Sequence, residues 1–329
     1  MTRSAAILGV GSALPDLVVP NDRFRDSSDE WIRTRTGIAE RRFVVEGETA
    51  STLAIAAARP ALESAGVDPA AVDLVIVATV SGDQPLPTTA AYVQQELGTH
   101  GGGFDLGAAC AGFVYGLAVA DTMVTAGSSD MALVIGTECL SRYINFEDRS
   151  TAVLFGDGAG AVVLGASDEP GVLTSLLELD GSGSELLTIP AGGSKMPASE
   201  ATLAEHGHKI HMPDGGEVFR RAVVGMAEAC ASLLDKAGYT ADDVSLLIPH
   251  QANARIIKAV AKRLGFPMER VVLDIESVGN TSAASVPIAL DRAWRAGRVS
   301  PGDLVLTVAF GGGLTWGANL VRWTMEAPR

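Results

Sequence analysis

The amino-acid sequence predicts an α/β protein built from two similar halves, and three observations support this. Apolar segments of strand length alternate with amphipathic segments of helix length along the chain, which is the pattern of sheets covered by helices. The strand segments are rich in Val, Ile and Leu, as expected for sheets buried on both faces. The order of helices and strands in the first half recurs in the second, which indicates an internal duplication.

The first repeated unit is a helix that ends at a glycine and is followed by an apolar strand. In the first half the helix covers residues 48–66 and the strand covers residues 72–78. In the second half the helix covers residues 217–238 and the strand covers residues 244–249. The two units match helix for helix and strand for strand.

The second repeated unit begins at Cys110 and recurs at Asn280. Each copy is a helix that continues to an Ala-Gly stop and a strand, and Asp121 aligns with Asp291. In this register Cys110 lies opposite Asn280, so two copies of one helix start carry a thiol and an amide. If the halves pack about a pseudo-twofold axis, we expect both helix starts to approach one site.

Composition and charge limit the functions that the chain can have. Its 329 residues are 47% hydrophobic and 19% charged, which is enough apolar sequence for a large core. The formal net charge of -14 argues against nucleic acid as the main partner. Three cysteines without paired spacing, no signal-peptide pattern and no apolar stretch of bilayer length are typical of a reduced protein that does not enter the membrane. We therefore expect a soluble cytoplasmic protein.

Cys110 lies in the run FDLGAACAGF, between an apolar strand segment and an apolar helix segment. A thiol at a helix start has the positive end of the helix dipole behind it, which lowers the pKa of the thiol and makes it a nucleophile near neutral pH. The alternative for an isolated cysteine is a small buried core residue.

Three further features carry candidate chemistry. His250 follows a predicted strand end, where α/β sheets usually bind ligands and where an imidazole can exchange or donate a proton. Asn280 follows Gly279 at the position expected for a helix N-cap. The glycines at residues 311–313 follow a strand and expose N–H groups that can stabilise an oxyanion, although a plain tight turn is the alternative. The histidines between residues 206 and 211 lack the cysteine or carboxylate partners of a metal site, so we expect no metal.

Four short runs occur in order along the chain. They are AACAGF at residues 108–113, PHQAN at 249–253, GNTSAAS at 279–285 and FGGGLTWG at 310–317. Together they resemble β-ketoacyl-ACP synthase III, the family of initiating condensing enzymes in the thiolase superfamily. The runs SDEWIRTRTGI at 28–38 and FGDGAGA at 155–161 also resemble that family. The last run lacks the third glycine of a dinucleotide-binding loop and is followed by a strand segment instead of a helix.

The resemblance covers nearly the whole chain and implies a fold. That fold is thiolase-like, with duplicated βαβαβαββ halves in an α/β/α/β/α arrangement of layers. We expect the first half to be residues 1–170, with the nucleophile and the adenine contacts of CoA. We expect the second half to be residues 171–329, with the histidine, the asparagine and the glycine loop.

The resemblance also implies a triad of Cys110, His250 and Asn280. The Cys110 thiolate takes a short acyl group from acyl-CoA, malonyl-ACP then loses CO₂, and the resulting carbanion attacks the acyl-cysteine. His250 and the Asn280 amide supply neutral hydrogen bonds to the enolate oxygen. The N–H groups of Cys110 and Gly312 hold the second oxyanion. Acyl-CoA is a substrate, and no resident cofactor is expected.

Other positions are assigned by the resemblance alone. Trp31 and Arg149 are implied to enclose the CoA adenine, Arg35 to meet its phosphates and Asn253 to contact the pantetheine arm. The positions implied to shape or gate the acyl pocket are Leu86, Phe155 and Phe310. Because the position of Leu86 reaches the pocket of a partner subunit in the family, we expect a homodimer.

A basic helix face is the candidate surface for the carrier protein. Arg255, Lys258 and Lys262 are spaced by three and four residues, so one helix face can carry all three. Arg263 is adjacent and Arg220 lies on an earlier helix. An acidic chain that binds an acidic carrier protein needs such local positive charge. The alternative is an ordinary solvated helix face.

Three other functions are alternatives to condensation. A degradative thiolase uses a second, C-terminal cysteine, whereas the glycine loop has none and Cys139 and Cys230 lie outside any such motif. An acyltransferase that moves the acyl group without condensation has no enolate, so Asn280 argues against it. A non-catalytic partner subunit of a synthase complex is at odds with a complete triad. Fatty-acid and polyketide synthesis both remain open as the pathway, as does the length of the primer.

Overall fold

The structure is a computed structural model that describes residues 3–24 and 27–328. Its strands are β1 (Ser4–Ala13), β2 (Leu17–Pro20), β3 (Glu40–Phe43), β4 (Leu74–Ala78), β5 (Gly102–Leu106), β6 (Met131–Glu138), β7 (Gly158–Ser167), β8 (Val172–Leu179), β9 (Leu246–Pro249), β10 (Leu304–Gly311) and β11 (Thr315–Arg322). Its helices are α1 (Asp29–Thr36), α2 (Ala50–Ala65), α3 (Thr89–Leu97), α4 (Gly112–Thr125), α5 (Arg149–Ala152), α6 (Glu200–Ala204), α7 (Gly215–Ala237), α8 (Ala254–Leu264), α9 (Ile275–Val278) and α10 (Ser285–Arg295).

Two mixed sheets have the same internal order. The first is β1-β7-β6-β4-β5 and the second is β8-β11-β10-β9. In each sheet, the second strand in this order is antiparallel to both of its neighbours. The fourth strand, β4 in the first sheet and β9 in the second, is parallel to the third. The predicted duplication is therefore confirmed at the level of strand order. The boundary between residues 170 and 171 stays a prediction.

Helices cover both faces of both sheets. α2 and α3 pack on the outer face of the first sheet, α7 packs on the outer face of the second, and α8 packs against α7. α4 and α10 lie between the two sheets and contact both. This is the predicted α/β/α/β/α arrangement. Because α4 is in the middle layer, Phe113, Leu117 and Val124 are fully buried. None of the helices in the described ranges combines the length and the apolar composition needed to cross a bilayer.

The second half departs from the predicted βαβαβαββ pattern at its third strand. The counterpart of β5 is reduced to a single parallel bridge between Val271 and Leu247. The side chain of Gln251 continues the hydrogen bonding in place of a strand: its Nε2 donates to Val272 O at 3.2 Å and its Oε1 accepts from Asp274 N at 2.8 Å. A side-chain amide has both a donor and an acceptor, so it satisfies the backbone there.

The predicted register of Cys110 against Asn280 is wrong. Before α4 and α10 the chain forms equivalent 3-10 turns, Ala109–Ala111 and Ser282–Ala284, each of which begins at a residue with positive φ, 45° and 49°. The counterpart of Cys110 is therefore Ala283. α10 has 11 residues where α4 has 14, so an alignment that is anchored at the helix ends fails at the helix starts.

The two helix starts nevertheless approach each other, as expected, because glycine removes the side chains between them. A Cβ on Gly136 of β6 would lie 2.3 Å from the carbonyl oxygen of Ala283. A Cβ on Gly112, at the start of α4, would lie 3.4 Å from the Cβ of Ala283. The 3-10 turns Ala109–Ala111 and Ser282–Ala284 are in contact. The first sheet, α4 and the second half therefore meet around residue 283.

Replacing Gly136 with alanine tests this close approach. We expect Gly136→Ala to lower the free energy of unfolding by roughly 1–3 kcal/mol, because the new methyl group meets backbone atoms that cannot rotate away. The control is Gly193→Ala, in an exposed loop with no atom within 4 Å of an added Cβ, for which we expect a change within about 0.5 kcal/mol. Urea unfolding followed by circular dichroism measures both. Equal stability of the two variants would contradict the close approach.

Candidate active site

Two cavities meet at Cys110. The first, of about 120 Å³, is lined by Cys110, His250 and Asn280 together with apolar side chains of α7 and α8. The second, of about 340 Å³, is lined by Cys110, Ser282 and Gly312 together with a mostly apolar set, which comprises Val80, Leu140, Phe155, Leu187, Ile189 and Ile210. Cys110 therefore borders two mainly apolar chambers, and the first of them also contains His250 and Asn280.

Cys110 is the middle residue of the 3-10 turn before α4 and is buried. Burial raises the pKa of its thiol to about 12, and a hydrogen bond with the Ser282 side chain opposes this rise. The negative charge of Glu138 raises the pKa further. The expectation of a lowered pKa is therefore wrong for the protein without substrate, because loss of solvation at this site outweighs the electrostatic benefit of a helix start.

His250 follows β9, as predicted, and its backbone N–H donates to Val308 O at 2.7 Å. Burial lowers the pKa of its imidazole to about 3, so the ring is neutral at neutral pH. Its Nδ1 lies 2.6 Å from Ser285 Oγ, which itself accepts the N–H of Gln251 at 3.4 Å. From this pattern we assign the Ser285 hydroxyl as the donor to Nδ1, which leaves the imidazole proton on Nε2.

Asn280 lines the same cavity, but it does not cap α10 as predicted. The helix begins at Ser285 without a side-chain cap, and Asn280 lies ahead of the preceding 3-10 turn. Its Oδ1 accepts the N–H of Ser282 at 2.9 Å. Its backbone is held by Leu154 O and by Gly156 N, both at 2.9 Å. With the oxygen bound in this way, the NH₂ group is what the side chain can offer to the cavity.

The glycine loop packs directly against the cysteine. A Cβ on Gly311 would lie 2.5 Å from the backbone nitrogen of Cys110, so only glycine fits there. Gly312 lines the second cavity beside Cys110. The Thr315 hydroxyl donates to Ala108 O at 2.8 Å and ties the loop to the segment before the cysteine.

Phe155 and Phe310 are both found at the site. Phe155 lines both cavities. Phe310 lines the first cavity, where it stacks on Trp316 with ring centroids 5.9 Å apart. A Cβ on Gly225 of α7 would lie 3.3 Å from the Phe310 ring, so this glycine makes room for the ring. Leu86 is 82% exposed and lines neither cavity in this chain.

The residues assigned to CoA form one cluster that extends outward from the first cavity. The Arg35 and Arg149 guanidinium groups lie 4.8 Å and 4.5 Å from the centroid of the Trp31 ring. Asn253 caps α8 by accepting the N–H of Arg255 at 2.8 Å, and its Nδ2 donates to Arg35 O at 3.1 Å. Asn253 also lines the cavity that contains Cys110, so it connects this cluster with the buried site.

The predicted basic surface is exposed, but its members differ in their surroundings. Arg255, Lys258 and Lys262 lie on the exposed face of α8. The Arg255 guanidinium lies 5.6 Å from the ring centroid of Phe219, a residue that lines the first cavity. Two members have acidic neighbours that offset their charge. Arg220 donates two hydrogen bonds to Glu217, and Arg263 lies 3.8 Å from Glu228.

Three residues of the site are not marked by the sequence analysis. Ser282 and Ser285 occur within the run at residues 279–285, so that motif contained a signal for them. The third, Glu138, is fully buried at the end of β6 and accepts a hydrogen bond from Ser282. No local pattern marks Glu138, because it reaches the site only through the packing of β6 against the second half.

Comparison with known proteins agrees with this geometry. A family model described as 3-oxoacyl-[acyl-carrier-protein (ACP)] synthase III matches residues 104–181, and the model of its C-terminal part matches residues 234–323. The β-ketoacyl-[acyl-carrier-protein] synthase III of Symbiobacterium thermophilum is 51% identical over 326 residues, which cover 98% of each protein. That of Clostridioides difficile is 48% identical over 329 residues, covering 99% of this chain and 100% of the relative.

Solved structures give the same result. The 3-oxoacyl-[acyl-carrier-protein] synthase III of Aquifex aeolicus matches with a TM-score of 0.88 and 45% identity, over 97% of this chain and 100% of the other. The priming β-ketosynthase of the R1128 polyketide biosynthetic pathway matches with a TM-score of 0.92 and 41% identity, over 99% of this chain and 98% of the other. The buried thiol, imidazole and amide thus lie on a thiolase-like scaffold, and the chain belongs to the β-ketoacyl-[acyl-carrier-protein] synthase III family of condensing enzymes.

Proposed function

We propose that this chain condenses a short acyl-CoA primer with malonyl-ACP through an acyl-Cys110 intermediate, and so initiates fatty-acid or polyketide synthesis. The observation that carries the proposal is the cavity shared by Cys110, His250 and Asn280. Cys110 also lines a second, mainly apolar chamber that is suited to an acyl chain. These side chains provide a nucleophile and two neutral donors, so the reaction needs no resident cofactor.

The first half-reaction loads the primer. The Cys110 sulfur attacks the thioester carbon, the bond between that carbon and the CoA sulfur breaks, and CoA leaves as a thiolate that takes a proton from solvent. The adenine of CoA stacks on Trp31. Because Arg149 already contacts that ring, we expect its guanidinium to move outward when the adenine enters between the two groups. Arg35 then meets the phosphates, and the pantetheine arm passes Asn253.

The second half-reaction forms the carbon–carbon bond. Malonyl-ACP loses CO₂, and the electron pair of the broken bond becomes an enolate. His250 Nε2–H and the Asn280 NH₂ group donate to the enolate oxygen, and both donors stay neutral at working pH. The enolate carbon then attacks the acyl-cysteine. The N–H groups of Cys110 and Gly312 hold the oxyanion until the Cys110 sulfur leaves.

The alternatives are less well supported by the arrangement of the side chains. Cys139 and Cys230 line neither of the cavities that meet at Cys110, so no second cysteine is placed to act as the acid and base of a degradative thiolase. Transfer without condensation leaves the pair of donors at His250 and Asn280 without a substrate oxygen to bind. The exposed Leu86 is compatible with a homodimer in which it enters the partner subunit. Cytoplasmic location stays a prediction.

Asn280→Asp separates loading from condensation. A carboxylate repels the enolate, so we expect acyl-Cys110 to form normally while condensation falls roughly 100- to 1000-fold. The variant and the wild type receive acetyl-, propionyl-, butyryl- and isobutyryl-CoA together, and mass spectrometry identifies the acyl group on Cys110. Malonyl-ACP is then added and β-ketoacyl-ACP is measured. Cys110→Ala, which cannot be acylated, is the control. Normal condensation by Asn280→Asp would remove the role that we give to the amide.

Burial of a neutral His250 predicts how stability depends on pH. The unfolded chain binds a proton at this imidazole below pH 6.5, whereas the folded protein binds it only near pH 3. The unfolded state therefore binds more protons between these values, and folding is destabilised as the pH falls below 6.5. We expect wild type to lose more urea resistance on acidification than His250→Gln, in which the other titrating groups are retained. An equal loss in both proteins would show that His250 is not held in its neutral form.

The exposed cations near the first cavity support a docking site for the acidic carrier protein. We expect Arg255→Glu to raise the KM for malonyl-ACP roughly 5-fold, corresponding to about 1 kcal/mol, while acyl-CoA loading is spared. Lys236→Glu is the matched control, because it is exposed at the far end of α7, about 15 Å along the helix axis from Met226, the nearest residue of α7 that lines the cavity. Steady-state kinetics of each half-reaction measure both variants. Equal effects on both half-reactions, or equal effects of the two variants, would argue against docking here.

A further inference from the structure

A buried carboxylate lies behind the cysteine, and the reaction described above does not use it. Glu138 is fully buried at the end of β6. Its Oε2 accepts hydrogen bonds from the Ser81 hydroxyl, from Val80 N at 3.2 Å and from Thr79 Oγ1 at 3.4 Å. Its Oε1 accepts the Ser282 hydroxyl at 3.1 Å. These four donors stabilise the ionised form of the carboxylate, whereas burial favours the neutral form.

Ser282 connects this carboxylate with the catalytic sulfur. Both residues line the apolar cavity, and the Ser282 side chain is close enough to the Cys110 thiol to lower the pKa of that thiol by hydrogen bonding. A hydroxyl has one hydrogen and can also accept, so Ser282 can donate to Glu138 while it accepts the S–H of Cys110. Ser282 therefore lies between the cysteine and the buried carboxylate: it donates to Glu138 at 3.1 Å and lines the same cavity as Cys110.

The loading step needs a base, and His250 is not available for that role. The Cys110 thiol is protonated in the resting protein because burial raises its pKa to about 12. With Ser285 bound at Nδ1, the neutral His250 imidazole carries its proton on Nε2 and has no free lone pair for the thiol. Another acceptor must take the proton as the sulfur attacks.

We propose that Glu138 accepts the proton of Cys110 through the Ser282 hydroxyl during loading and returns it after condensation. In loading, the S–H bond of Cys110 breaks as its hydrogen passes to Ser282 Oγ, while the Ser282 hydrogen passes to Glu138 Oε1. After condensation the same shifts run in reverse, and the departing Cys110 thiolate is protonated. No oxidant, reductant or added reactant is required. Glu138 takes up the proton, but it acts on the sulfur only through the Ser282 hydroxyl.

The electrostatic surroundings fit a group that changes protonation near neutrality. Burial raises the pKa of Glu138 to about 7, and its hydrogen bonds limit that rise. The other titratable or charged side chains around this path, among the residues that the structure describes, are Cys139 and Tyr143 beside the carboxylate, His250 across the cavity from Cys110, and Asp83, Asp157 and Arg142 around Cys139. Glu138 must be ionised to accept a proton, so we expect the relay to operate above the pKa of Glu138 and to fail below it.

Alkylation of Cys110 by iodoacetamide tests the relay without any substrate. In the wild type we expect the rate, followed by mass spectrometry of the peptide that contains Cys110, to rise through an inflection near neutral pH as Glu138 ionises. In Glu138→Gln and Ser282→Ala this inflection should be lost. At neutral pH the rate should be lower by on the order of 100-fold, a typical contribution of a general base. Glu138→Asp, which keeps the carboxylate, should restore the inflection.

Two features of the chain make the variants interpretable. Ser282→Ala leaves the backbone conformation accessible, because alanine already occupies the equivalent position Ala109 with a φ of 45°. Thr79→Val is the matched control: it removes one hydrogen bond to Glu138 Oε2 but does not lie between the carboxylate and Cys110. We expect this control to retain the inflection.

Two results would overturn the relay. If Glu138 were only a charge that repels the thiolate, Glu138→Gln would be alkylated faster than wild type. If Glu138 were only structural, the inflection would persist in both Glu138→Gln and Ser282→Ala. The relay rests on the proposed function for its part in turnover, but alkylation needs neither CoA nor malonyl-ACP. If the protein did not condense acyl-CoA with malonyl-ACP, the alkylation test could still be carried out. If the alkylation test failed, acyl transfer and condensation could still be measured, so the two proposals can fail independently.

Discussion

The close approach of the two 3-10 turns, Ala109–Ala111 and Ser282–Ala284, is the constraint on which the rest of the site depends. The backbones touch because Gly112 and Gly136 carry no side chain at the point of contact. Interiors are close-packed, so even one added methyl group there must displace backbone. The contact brings Cys110 of the first half beside Ser282 of the second. Through Ser282 it also sets the orientation of Asn280.

Cys110, His250 and Asn280 are buried, and their burial determines the protonation states at the site. Burial keeps the Cys110 thiol and the His250 imidazole in their neutral forms, since charged forms lose their hydration. Neutral donors are suited to an enolate because they stabilise its charge without being titrated. The formal charge of the chain is -14, whereas CoA and the carrier protein are anionic. The exposed cations around Trp31 and on α8 place local positive charge on a chain that is acidic overall.

The two halves form the same backbone turn at the site but place different side chains on it. Both halves place a residue of positive φ before a central helix, Ala109 in one and Ser282 in the other. The next residue is Cys110 in the first half and Ala283 in the second. Ser282 supplies a hydroxyl where the first half has only a methyl group. The two halves therefore share a backbone conformation at this point, while the side chains that they place there differ.

The sequence by itself determined the α/β class, the duplication and the motifs that contain Cys110, His250, Asn280 and the glycine loop, because periodicity and short-range runs are local properties. Two expectations from the sequence were wrong: the alignment of Cys110 with Asn280 in the two repeats, and a lowered pKa for the Cys110 thiol. Only the tertiary structure decided these, together with the place of Glu138. Burial, and contacts between residues as far apart as Glu138 and Ser282, arise from the packing of one half on the other, and no local pattern in the chain encodes that packing.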